Sequence, residues 1–155
     1  MMDDFMGVYQ VEHTAFDGKN SRDMLSLIAD EMVELEQELY NGSYNPLGDS
    51  VINKGDVVKE TIDVLYVAAQ RLRRMGVDVD AALAEVHSSN MSKSVPIDKL
   101  VEETELARER YPHVVGVQTS DTTGVLRDTD TGKVVKPTTY TAAVIEEGVH
   151  YGTSS

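Results

Sequence analysis

The sequence contains no cysteine, which excludes disulfides, thiol nucleophiles and Cys-ligated zinc. It also lacks a long apolar run. The longest uninterrupted one covers residues 64–69, far short of the ~20 residues a membrane span requires. Basic charge is scarce: 14 Lys and Arg face 27 Asp and Glu, for a net charge of −13. That leaves no basic footprint for gripping a nucleic-acid backbone. The chain opens on Met1-Met2-Asp3-Asp4-Phe5, acidic where a secretory leader would be basic, so a cytoplasmic location is expected.

What is present is an ordinary globular composition, 41% hydrophobic and 26% charged over 155 residues. This is enough for one domain with a real core and too little for two of comfortable size. The acidic excess is uneven, with 13 Asp/Glu in residues 1–60 against Lys19, Arg22, Lys54 and Lys59. Most of these acids read as solvated helix faces. Position decides which of them do more.

Hydrophobic spacing predicts a mainly α fold. Residues 3–16 form a moderately amphipathic helix. A turn at residues 17–21 leaves Ser21 as N-cap of a second helix reaching Tyr40, with Met24, Leu25, Ile28, Met32, Leu35 and Leu39 at helical spacing. The segment 41–48 ends it, and residues 49–55 give a mixed signal. A third, central helix runs from about Asp56 to Arg74 or Met75 and stops at Gly76. Asp78 can cap a fourth helix over residues 79–88, with Ala82, Leu83 and Val86 inward. A fifth stretch, 97–110, is polar and Glu-rich, and Pro112 closes it. Beyond it the chain turns rich in Val, Thr and Gly, with a strand at 114–117 and a β-hairpin over 126–135 turning near residues 130–132. The expected division is a helical catalytic domain over 1–112 and an extension over 113–155, frayed from Val149 onward.

The central helix is apolar around nearly its whole circumference, the pattern of a buried helix. Glu60 and Asp63 interrupt it at i,i+3 and share one face. A bare carboxylate buried there costs several kcal/mol or more without a partner. The second helix carries a matching device, Glu31-Met32-Val33-Glu34, on a stripe bordering its apolar face. Four converging carboxylates repel unless neutralised, and all-oxygen ligation belongs to Mg²⁺, Mn²⁺ or Ca²⁺. A di-iron bundle would want Glu-x-x-His pairs, whereas the nearest histidine gives Glu85-Val86-His87. Asp128-Thr129-Asp130-Thr131-Gly132 is no EF-hand loop: its glycine falls one position early and Thr139 stands where the bidentate Glu belongs. It reads as a turn.

Glu31-x-x-Glu34, 25 intervening residues, then Glu60-x-x-Asp63 followed by Val64-Leu65-Tyr66-Val67 resembles the MazG-like branch of the all-α NTP pyrophosphohydrolases. The Asn90-x-x-Lys93 element and the segment Gly132-Lys133-Val134-Val135-Lys136-Pro137 are similar to features of that family, the latter in its phage-type members. The resemblance covers about residues 5–95 well. It implies an all-α NTP pyrophosphatase-like bundle, assembled as a homodimer or homotetramer. Mg²⁺ or Mn²⁺ would be held by Glu31, Glu34, Glu60 and Asp63. A nucleoside triphosphate would be hydrolysed to a monophosphate and pyrophosphate, with Glu34 or Glu31 as catalytic base. Asn90 and Lys93 would contact the nucleotide, and Tyr9 and residues 11–16, His13 among them, are candidates for the base pocket. Arg71 and Arg74 share the face of Glu60 and Asp63 but read as exposed, and His87 reads as packing or surface. The tail is similar to that of the dGTP-removing MazZ branch. Phosphoribosyl-ATP pyrophosphohydrolase is a relative with a different substrate. From another class, a non-catalytic acidic helical adaptor would keep these acids only as surface charge.

Overall fold

The computed structural model describes residues 18–41 and 52–152, so the expected helix over 3–16, with His13 and Tyr9, and the segment 41–48 from Gly42 onward lie outside the described residues. Four α-helices and a small antiparallel sheet account for the rest: α1 (Gly18–Asn41), α2 (Lys54–Arg74), α3 (Val79–Met91), β1 (Ser94–Pro96), a 3₁₀ turn (Ile97–Lys99), α4 (Leu100–Arg108), β2 (Val114–Gln118), β3 (Thr123–Asp128) and β4 (Val134–Val135). The fold is mainly α with a C-terminal β element, as expected. Contacts group the described residues into two compact units, one holding those up to 79 together with 146–152, the other residues 80–145.

In the first unit α1 packs along α2. The local chemistry at the ends of α2 explains where it starts and stops. Asn53 caps it, its Oδ1 accepting from Gly55 N–H at 3.0 Å while its Nδ2 donates to Asp56 at 2.6 Å. At the far end Gly76 takes φ +78, and the N–H groups of Gly76 and Val77 return to Arg73 O and Leu72 O, both at 3.0 Å. Arg71, Arg73 and Arg74 fill the last turn, where cations oppose the negative end of the helix dipole. The chain then meets its own C-terminal segment: Val77 bridges Tyr151, and Asp78 N donates to His150 O at 2.7 Å. Residues 149–152, expected to fray, are hydrogen-bonded here.

Two further expectations for this unit are corrected. Ser21 does not cap α1, which is already helical from Gly18. The central helix α2 is not buried all round: Val58, Ile62 and Leu65 are exposed, as are Leu25, Met32 and Leu39 on α1. A single neighbouring helix covers one face, and among the described residues α1 is the one packed on α2.

The second unit holds α3 and a further helix, α4, laid on a sheet. β3 is central, pairing antiparallel with β2 along one edge and with β1 and then β4 along the other. Val95, Leu100, Ala107, Val114, Leu126 and Val135 form the core, with Leu126 fully buried. α4 lies directly on the strands because Gly116 and Gly124 leave it room. A Cβ on Gly124 would meet Leu100 Cδ2 at 2.6 Å, and one on Gly116 would meet Thr104 Oγ1 at 2.5 Å. The expected hairpin is present, with Leu126 opposite Val135 and Gly132 at φ +69. Asp128 Oδ1 organises its turn by accepting from Thr131 N–H at 2.8 Å, Thr131 Oγ1 at 2.9 Å and Asp130 N–H at 3.1 Å, an Asx-type turn.

The helical stretch expected over 97–110 divides into the 3₁₀ turn and α4, which ends at Arg108. Its polar look also misleads. Glu103 is buried, with its carboxylate accepting from both the N–H (2.8 Å) and the hydroxyl of Thr138. On α3, Leu83 and Val86, expected inward, are exposed.

Candidate metal centre

The helical pairing of α1 and α2 brings the two acidic i,i+3 devices toward each other. Glu31 on α1 and Glu60 and Asp63 on α2 each place a carboxylate oxygen within 4.8 Å of the others. Glu60 is 8% exposed, and its Oε2 is buried with no hydrogen-bond partner among the described residues. Asp63 and Glu31 are half-buried. The carboxyl pKa of Glu31 is raised, first by burial and then by the charges of Glu34, Asp63 and Glu60. Such a rise marks a site short of positive charge.

Glu34 stands one turn further along α1, exposed, and lines an open groove with Asp30, Gln37, Glu38 and Glu60. It is not one of the three oxygens that converge.

Part of the missing counter-charge comes from a residue whose role the sequence pattern does not disclose. Lys59 Nζ donates to Glu60 Oε1 at 2.7 Å and to Asp63 Oδ2 at 3.0 Å, and these bonds hold its ammonium well above its ordinary pKa. The one signal available was the i,i+4 spacing of Lys59 and Asp63. Lys59 engages one oxygen of each acid and leaves Glu60 Oε2 unmet. An orphaned, buried carboxylate oxygen beside two further carboxylates is a donor set that suits a hard divalent cation.

The remaining candidates fall elsewhere. Asn90 and Lys93 stand together at the C-terminal end of α3, in the second unit, where Lys93 Nζ donates to Asn90 Oδ1 at 2.8 Å. Arg71 is half-buried, not exposed as expected, and its Nε is buried without a partner among the described residues. Burial, then the charge of Arg74, lowers its guanidinium pKa. His87 is exposed on α3.

Against this geometry, the family model for phosphoribosyl-ATP pyrophosphohydrolase matches residues 7–90. The chain belongs to that family. It is therefore a nucleotide pyrophosphohydrolase, within the MazG-like all-α NTP pyrophosphohydrolase superfamily. The match spans α1 and α2 with all three converging carboxylates and ends at Asn90, so Lys93, α4 and the sheet lie beyond the family-matched region. A comparison with curated proteins finds no match. Among the described residues no helix is long and apolar enough to cross a membrane.

Proposed function

We propose that this pyrophosphohydrolase acts on a nucleoside triphosphate with the help of a divalent cation, Mg²⁺ or Mn²⁺, held by Glu31, Glu60 and Asp63. The observation that carries the reading is the convergence of three carboxylate oxygens within 4.8 Å around the unpartnered, buried Glu60 Oε2. A cation bound there would neutralise phosphate charge and acidify a water molecule. Glu34, outside the converging trio yet on the groove shared with Glu60, serves as the general base, and Glu31 is the alternative. The attacking water bonds to the α-phosphorus, the bridging bond to the β-phosphate breaks, and pyrophosphate leaves. Asn90 contacts the nucleotide, and Lys93 meets phosphate as a point charge. Catalysis belongs to the helical part up to residue 112, with 113–155 as its extension.

Exposed apolar residues along α2, Val58, Ile62 and Leu65, favour a homodimer or homotetramer, in which a second copy would complete the burial that the sequence pattern of this helix anticipates. The cytoplasm, where nucleoside triphosphates are found, is the matching location.

For the substrate, the family match favours phosphoribosyl-ATP, while a dGTP preference of the MazZ kind rests on the tail resemblance. One experiment separates them: pyrophosphate release from phosphoribosyl-ATP and from each dNTP and NTP, with and without Mg²⁺. Metal-dependent turnover of one member, abolished in Glu60→Gln, is the expected result. Turnover that survives both chelation and Glu60→Gln would overturn the metal reading. An acidic adaptor would show no turnover at all.

A further inference from the structure

The chain is strongly acidic, so any place where two lysines stand together without a carboxylate partner calls for an explanation. One lies in the second unit, at the C-terminal end of α3. Lys93 uses its ammonium on a neutral acceptor, Asn90 Oδ1 at 2.8 Å. Lys136, from the stretch after β4, sits 4.3 Å from the centroid of the Tyr140 ring, a cation–π seat. Among the described residues neither lysine takes part in an ion pair, whereas Lys59, Lys99 and Arg108 all do.

The seat itself is built. Tyr140 and Thr141 are fixed to α3 by two serines. Ser89, buried, brings its Oγ to 3.3 Å from the Tyr140 hydroxyl and donates to Thr141 O at 2.9 Å. Ser92 Oγ accepts from Thr141 N–H at 2.9 Å and donates back to Ser89 O at 2.7 Å. On the other side the strand pairing of Val135 with Leu126 and the Glu103–Thr138 clamp hold the backbone flanking Lys136. Glu103 lines a small cleft with this lysine, but it is committed to the N–H and hydroxyl of Thr138. The phenol feels both ammonium charges. Its pKa is lowered, chiefly by the bond with Ser89 and then by the charges of Lys136 and Lys93.

We propose that Lys136, seated on Tyr140, joins Lys93 and Asn90 in a cationic cluster that takes the polyphosphate of the nucleotide substrate. Lys136 meets phosphate oxygens directly, and Tyr140 is a positioning residue that holds it. Pre-fixing the flanking backbone at two anchor points lowers the ordering cost on binding. Two ammoniums with no carboxylate to displace are also available to a phosphate without a competing ion pair. The ligand rests on the pyrophosphohydrolase reading above; the cluster and its anion affinity do not.

The test uses the full chain and variants Lys136→Met, Lys136→Arg and Tyr140→Leu, with Lys133→Met on the neighbouring hairpin as control. Lys136→Met should raise KM for the best nucleotide about tenfold, the loss of one charge-assisted contact, with kcat within about twofold. Tyr140→Leu should follow it, Lys136→Arg should recover most of the loss, and Lys133→Met should leave KM unchanged. Calorimetric titration with inorganic tripolyphosphate, without metal, should show the same weakening in Lys136→Met, and Mn²⁺ affinity should not change. An unchanged KM together with unchanged tripolyphosphate affinity in Lys136→Met overturns the proposal, as does a fall in kcat without any loss of tripolyphosphate binding. If no nucleotide turns over but tripolyphosphate binding still falls in Lys136→Met, the cluster stands and the substrate reading fails.

Discussion

Glu60→Gln separates a metal site from an ordinary acidic surface because it should move stability in opposite directions with and without metal. The substitution keeps shape and removes one charge. In the metal-free protein Glu60 faces Glu31 and Asp63 with oxygens no more than 4.8 Å away. Each such pair repels by about 3.5 kcal/mol at an effective dielectric of ~20, and by about 0.9 kcal/mol in bulk water. Lys59 offsets part of this, and in the variant it still holds Asp63. On that same dielectric the two repulsions come to about 7 kcal/mol and the attraction of Lys59 at 2.7 Å cancels most of that, so losing all three should leave the metal-free variant more stable by about 1 kcal/mol, or a Tm higher by ~2–4 °C. With Mn²⁺ at a hundred times its Kd, the wild type gains about 2.7 kcal/mol and the variant little, so the order of Tm values inverts. Pyrophosphate release should fall at least ~100-fold. Differential scanning calorimetry with EDTA and then with Mn²⁺ reads both halves. A variant that is less stable in EDTA, or that keeps the full Mn²⁺ shift, would refute the reasoning.

Lys59→Met should lower the metal-free Tm and at the same time tighten Mn²⁺ binding several-fold in a direct titration, because the ammonium competes with the metal for Glu60 and Asp63. Gly124→Ala should cost about 1–3 kcal/mol by overpacking, read as a lower urea midpoint. Its Cβ would come within 2.8 Å of the Val117 carbonyl, a backbone atom in a paired strand that cannot swing aside. Asp128→Asn should destabilise the hairpin in a pH-dependent way. The bonds from Thr131 hold the Asp128 carboxyl below its ordinary 3.8, so the wild type's advantage is fully present above that value. It fades as pH falls through the lower native one, and thermal melts between pH 2 and 7 follow it.

Features legible in the sequence are those whose cause is local. Gly76 and Gly132 mark a helix stop and a hairpin turn because positive φ is needed at single positions. Glu60 was readable as buried because the residues around it on the helix are apolar, and it is 8% exposed. Features set by distant partners were not legible. Glu103 sits in a Glu-rich helix and looks solvated, yet Thr138, 35 residues on, buries it. Leu83 and Val86 have the spacing of an inward face and are exposed, since spacing cannot say whether anything packs there. At the candidate site, helical geometry paired Glu31 with the acids of α2, while Glu34, on the same stripe, remained exposed outside the trio. Lys59 escaped notice because an i−1 neighbour points off the face of Glu60, and only its long, flexible stem brings the ammonium back.

The charges of the centre also bear on where substrate phosphate must find its attraction. Three carboxylates and the Lys59 ammonium leave a net of two negative charges, which one divalent cation cancels. A nucleoside triphosphate, carrying roughly four negative charges of which pKa₂-type protonation removes little at neutral pH, then meets a neutral centre in a chain of net −13. Coordination of a phosphate oxygen remains available there, but long-range attraction does not. On the proposed reading the pull comes from cations that have no carboxylate partner among the described residues, a condition Lys93 and Lys136 satisfy. On this argument affinity and chemistry are divided between two groups of residues. Variants at the lysines should therefore make KM less dependent on salt concentration, while variants at Glu60 should change kcat and leave that salt dependence alone.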